Sequence, residues 1–203
     1  MVSEARAFQQ MGLSVLLVDF RGSWESSESY TTIGYHEAKD VAASVRYAED
    51  NLPYSRLMLF GQSLGAVAVL RAIYRYDVKP DAVIVEAVFD KLLNSVKNRF
   101  HLMGIPSFPS AQLLIFWAGM QLDFNGFRHN PVDYVTRIDC PILFLHGTDD
   151  KRARISEARR VYDAVTAPKT MKEFRHARHA PYVEEYTDEW EETVRNFLDF
   201  LDK

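Results

Sequence analysis

The chain has 203 residues, 47% hydrophobic and 26% charged, with a formal net charge of -4. That length fits a single domain, the composition lies outside the disordered and membrane classes, and the acidic balance argues against nucleic acid as a main partner. Cys140 is the one cysteine, so an internal disulfide is excluded, and with no signal-like start and no apolar run near ~18 residues, a soluble cytoplasmic chain without a membrane span is expected.

Short β-rich runs alternate with stretches of helical period. The first strand is expected at Ser14–Phe20, followed by a helix in which Ala38, Val41, Ala42 and Val45 share a face. Leu57–Phe60 reads as a strand and Leu64–Tyr76 as a helix, then Ala82–Glu86 as a strand apolar on both faces. Lys91–Pro131 breaks the rhythm: it carries no strand signal and has prolines at 106 and 109, which suits a small helical cap better than a bare loop. Strands at Ile142–Leu145 and Thr170–Phe174 flank a helix marked by Ile155, Ala158, Val161 and Val165. A last amphipathic stretch places Val183, Trp190, Val194, Phe197 and Leu201 on one side. Strand, helix, strand in this order implies an α/β fold with a mostly parallel sheet flanked by helices, residues 1–203 forming one domain with 91–131 as a cap insertion.

Between the second strand and its helix stands Gly61-Gln62-Ser63-Leu64-Gly65. A Gly-x-Ser-x-Gly pentapeptide recurs by chance in about one in ten to twenty chains of this length, so its setting carries the weight. A strand turning sharply into a helix lifts the serine above the sheet, and glycines let the two elements approach. Ser63 would be the nucleophile and the Leu64 N–H an oxyanion donor at the helix N-terminus. A serine hydroxyl needs a base and a group that orients the base. Two carboxylates, Asp149 and Asp150, follow the fourth strand, and two histidines, His176 and His179, follow the fifth.

The chain order Ser, Asp, His resembles the α/β-hydrolase family, and the likeness to its small esterases and serine-peptidase relatives runs over nearly the whole sequence. His146-Gly147-Thr148-Asp149-Asp150 is similar to the family's acid loop, which implies Asp150 as the triad acid; Ala177-Arg178-His179 is similar to its histidine loop, which implies His179 as the base. Asp90 is the reserve acid. The plainer alternatives are a turn role for Ser63, a helix cap for Asp150 and an exposed loop position for His179. His146 is expected as a packed structural histidine, and the basic run from Lys151 to Arg154 as a solvated helix face.

Ser-Val-Leu-Leu-Val-Asp-Phe-Arg-Gly, residues 14–22, also resembles a strand and turn of the family, and the stretch from Ser3 to Gly12 the helix before it. The loop that supplies the family's second oxyanion donor, and the strand carrying it, would then precede residue 1. Ser14–Phe20 is left without its usual neighbours: it belongs with an upstream strand, pairs directly with Leu57–Phe60, or receives a strand from another chain. The resemblance implies a serine hydrolase cleaving a carboxylic ester or related acyl bond. Phe116, Trp117 and Met120 are candidates to contact a small-molecule acyl substrate, or they only pack the cap on the sheet. No cofactor and no metal are implied, since no phosphate-binding loop or zinc-ligand set is present. The sequence is compatible with a homo-oligomer. The rival class is a non-catalytic binding protein with the same fold and an incomplete oxyanion hole.

Overall fold

The computed structural model describes residues 1–202 apart from 24, 25, 27 and 28. Four strands, β1 (Met58–Gln62), β2 (Ala82–Glu86), β3 (Ile142–Gly147) and β4 (Lys169–Phe174), form one sheet in sequence order, and each neighbouring pair is parallel. Parallel pairing brings the carboxyl ends of all four strands to one edge, where the loops after β1, β3 and β4 emerge.

The strands alternate their side chains between two apolar layers. Val83, Val85, Ile142 and Phe144 pack against α2 (Glu37–Asn51), α3 (Leu64–Tyr76) and α7 (Ile155–Ala164). Ala82, Ile84, Leu143 and Leu145 pack on the other face against α1 (Val2–Gln10) and α9 (Thr187–Leu201). Every residue of β2 and β3 is buried, as the apolar runs Ala82–Val85 and Ile142–Leu145 imply, and the burial extends to Glu86 and His146 at their ends. The strands run slightly beyond the apolar letters: β1 continues to Gln62 and β3 to Gly147, because the ladder partners Glu86 and Phe174 extend to meet them.

Ser14–Phe20 is not a strand, and it does not pair with β1. Among the described residues β1 is an edge strand with β2 as its one neighbour. The β-rich sequence of 14–20 has no ladder partner among the described residues, and Leu16, Leu17 and Val18 are 47%, 53% and 37% exposed. Phe20 still packs against the core beside α3. The basic run also departs from expectation: residues 151–153 form a bend, and α7 starts only at Ile155.

Lys91–Pro131 holds α4 (Leu92–Leu102), α5 (Ser110–Gln121) and a single 3₁₀ turn, Gly126–Arg128, with α6 (Pro131–Tyr134) following. The side-chain amide of Asn98 fastens α4 to the body, donating to Glu157 Oε1 at 2.7 Å and the Arg152 carbonyl at 3.2 Å. On α5 only Ala111 and Ile115 are buried. No helix among the described residues is long and apolar enough to cross a membrane.

The two glycines around Ser63 do different jobs. A Cβ on Gly61 would lie 2.5 Å from the carbonyl carbon and oxygen of Gly65, so β1 and α3 touch backbone to backbone there. A Cβ on Gly65 would meet only the Phe20 ring, at 3.8 Å. Gly61→Ala is therefore expected to lower stability by about 1–3 kcal/mol through forced separation of strand and helix. Gly65→Ala should be neutral or slightly stabilising, because alanine favours the helix. Urea unfolding midpoints of the two variants check the contrast.

Candidate active site

The turn from β1 into α3 places Ser63 at φ 50° and ψ -110°, a conformation that a residue with a side chain rarely adopts. Its N–H donates to the Glu86 carbonyl at 2.7 Å, and its carbonyl accepts from Val67 N at 3.2 Å, starting the helix. The half-buried hydroxyl is not used to cap α3. Leu64 is the first residue of α3, so its N–H is one of those a helix leaves without an internal acceptor.

The loops after β3 and β4 are laced together by backbone bonds. Thr148 N donates to the Phe174 carbonyl and Asp149 N to the Ala177 carbonyl, each at 3.0 Å, and His176 N donates to Thr148 Oγ1 at 2.8 Å. A Cβ on Gly147 would sit 2.4 Å from the Ala177 carbonyl oxygen, so this approach requires glycine. The lacing sorts the two acids and two histidines into pairs. His179 Nδ1 lies 2.6 Å from Asp150 Oδ2, with the carboxylate fully buried and the imidazole 18% exposed. His176 and Asp149 meet at 3.4 Å on the surface.

Asp150 Oδ1 also accepts from the backbone N–H groups of Arg152 and Ala153, at 2.8 and 2.9 Å. The capping role and the histidine-orienting role thus fall to different oxygens of one carboxylate. With Nδ1 directed at Asp150, Nε2 is the ring nitrogen left to take a proton. The reserve acid Asp90 faces elsewhere, accepting from Arg160 Nε at 2.8 Å and from the Asn94 amide. His146 is buried as expected, with Nε2 on the Ala153 carbonyl at 2.7 Å, and burial pushes its pKa down.

The residue that sequence reasoning passed over is Glu86, the last of β2 and fully buried. Its Oε1 accepts from Gln62 Nε2 at 2.6 Å and from Tyr182 N at 3.3 Å, and its Oε2 from Trp190 Nε1 at 3.1 Å. Tyr182 opens α8 (Tyr182–Glu185), the short helix after the histidine loop, and its hydroxyl accepts from Gly147 N at 2.8 Å. The one signal in the sequence was a carboxylate closing an otherwise apolar strand. Phe116 and Trp117, by contrast, stack edge to face at 5.6 Å on the outside of α5, and both they and Met120 are at least half exposed.

The sequence profile of the prolyl oligopeptidase family matches residues 1–202. The chain belongs to this family. Acylamino-acid-releasing enzyme of Mus musculus is 26% identical over 78% of this chain and 23% of that one. A Bacillus subtilis (strain 168) protein of uncharacterised function, YqkD, is 25% identical over 95% of this chain. The chain spans 64% of the length of YqkD. Among solved structures, the Pyrococcus furiosus esterase Pf2001 superposes with a TM-score of 0.78 at 24% identity, covering 98% of this chain and 75% of the other. The Paleococcus ferrophilus monoacylglycerol lipase gives 0.68 at 19%, over 97% and 88%. These likenesses establish the α/β-hydrolase fold, and this family and its neighbours are of the hydrolase type.

Burial without a cation raises the Glu86 pKa from 4.5 to about 7, against the three N–H donors that lower it. The folded protein then holds a proton that the unfolded chain releases above about pH 4.5. This contribution to stability is complete below that pH and is lost as pH rises through about 7. The difference in melting temperature between wild type and Glu86→Gln should therefore change between pH 5 and 8, with wild type losing ground as pH rises. Parallel thermal melts across that range check the sign.

Proposed function

We propose that the chain is a serine hydrolase that cleaves a carboxylic ester or related acyl bond through Ser63, His179 and Asp150. Ser63 Oγ attacks the acyl carbonyl carbon while His179 Nε2 takes its proton, and the oxyanion meets the Leu64 N–H. The imidazolium returns the proton to the leaving oxygen or nitrogen as its bond to the acyl carbon breaks, which leaves the acyl group on Ser63 Oγ. Water, deprotonated by the same histidine, then releases the acid and restores the serine. Asp150 holds the imidazole tautomer through the contact at Nδ1.

The observation that carries this reading is the 2.6 Å contact of His179 Nδ1 with a fully buried Asp150. Two further features support it. Ser63 is strained in the way a nucleophile turn requires. Glu86 Oε1 accepts both from Gln62, the residue before Ser63, and from Tyr182, three residues after His179, so the two loops converge. The segment 91–131 serves as the cap, and Phe116, Trp117 and Met120 are its apolar surface for an acyl group.

A fluorophosphonate should form one adduct on Ser63, located by intact mass and peptide mapping and absent from Ser63→Ala. Asp150→Asn should keep the fold, because its side-chain oxygen can still accept from Arg152 and Ala153, and should slow labelling by on the order of 10³–10⁴. An unlabelled wild-type chain would instead favour the binding protein with an incomplete oxyanion hole.

A further inference from the structure

We propose that Glu86 is a positioning residue whose buried carboxylate clamps the nucleophile turn to the histidine loop and so sets the approach of Ser63 to His179. This rests on the serine-hydrolase reading. Within a sheet, β2 is the strand beside the nucleophile strand, and Glu86 ends it directly opposite Gln62. The backbone carbonyl of Glu86 holds Ser63 N at 2.7 Å, and its side chain holds Gln62 at 2.6 Å and Tyr182 N at 3.3 Å. Through the Tyr182 hydroxyl, which accepts from Gly147 N at 2.8 Å, the same unit reaches the start of the acid loop. One residue therefore touches the nucleophile turn and the segment that follows His179, and through Tyr182 it is linked to the acid loop.

A purely structural position would not need an acid here. The other four residues of β2 are Ala82, Val83, Ile84 and Val85, and a fifth apolar residue would complete the core without burying a charge. What the carboxylate supplies is acceptor capacity: two oxygens that satisfy three N–H groups from β1, α8 and α9 at once. The groups facing it are Gln62 on β1, Tyr182 on α8, Trp190 on α9 and the carboxylate of Glu4 on α1, which opposes its ionisation. Protonation adds a hydrogen for which the three donors offer no acceptor unless the Gln62 amide turns over, moving the residue next to Ser63. With a pKa near 7, the clamp then tightens as pH rises through neutrality.

The test uses the full chain as wild type, Glu86→Gln and Gln62→Met, with circular dichroism to confirm folding. Two readouts are followed: the rate of fluorophosphonate labelling at Ser63 from about pH 5.5 to 8.5, and hydrogen exchange at the Tyr182 amide. Glu86→Gln is expected to label about 10–100-fold more slowly at pH 7.5 and to exchange the Tyr182 amide faster. Its rate should also rise less steeply with pH through about 7 than that of wild type, because the carboxylate that titrates there is gone. Gln62→Met, which cuts the link on the serine side alone, should also label more slowly. Wild-type rate, wild-type slope and unchanged Tyr182 protection in Glu86→Gln would overturn the proposal. Should that variant not fold, Gln62→Met decides: slower labelling sustains the clamp and an unchanged rate overturns it. If the wild-type chain does not label, the hydrolase reading fails by itself, and the exchange data alone judge Glu86: lost protection at Tyr182 upholds the clamp, retained protection refutes it.

Discussion

A serine held in a conformation that it disfavours is the constraint around which the structure is arranged. At φ 50° and ψ -110°, Ser63 stores strain on the order of 1–3 kcal/mol, which nothing in its own turn offsets. The restraint comes from outside. On one side the Glu86 carbonyl takes the Ser63 N–H; on the other, the bare backbone of Gly61 lets α3 press against β1. The first support comes from β2, which is packed on both faces between two apolar layers. The core beneath the sheet thus acts on the site through one strand.

The same core sets how each buried acid is treated. Asp150 has two backbone donors on one oxygen and an imidazole on the other, so its charge is met from within the loops that it joins. Asp90 is answered by Arg160, whose side chain is half exposed and leads the charge out to solvent. Glu86 meets only neutral N–H groups, which match its shape without balancing its charge, and its pKa rises to about 7. Glu157 has one oxygen on the Asn98 amide while the other finds no partner among the described residues, and burial lifts it to about 6. The histidines divide in a related way. Burial drives His129 down to about 4, and its ring bridges the Tyr134 hydroxyl and the Ile33 carbonyl as a neutral spacer. His179 instead sits on a carboxylate at the end of the sheet, with its ring 18% exposed.

How much of this was legible in the sequence depends on how far apart the interacting residues lie. The helix Leu64–Tyr76 and the strand Ala82–Glu86 were bounded to the residue, because periodicity and the flanking glycine and polar letters act over a few positions. The preference for Asp150 and His179 over Asp149 and His176 came from the resemblance of two short motifs that each follow a strand, and the structure sets the preferred two 2.6 Å apart; the surface contact of Asp149 with His176 had no signal in the sequence. Ser14–Phe20 was misread for the complementary reason: its letters satisfy every local rule for a strand, but a strand is a property of two segments, and β1 offers this one no hydrogen bonds. The basic run after Asp150 was misread more mildly, since the carboxylate that caps its first N–H groups also turns the chain before a helix can start. Glu86 was invisible for the strongest form of that reason. Its partners on the histidine side, Tyr182 and Trp190, lie 96 and 104 residues away along the chain. A lone acid at the end of an apolar strand is compatible with a solvated loop until the fold brings those two N–H groups over it. The parts of a site that carry chemistry are written in local motifs, because the reacting group must sit on a sharp turn; the parts that hold those turns in register are written only in the tertiary structure, because their function is to connect segments that the sequence keeps apart.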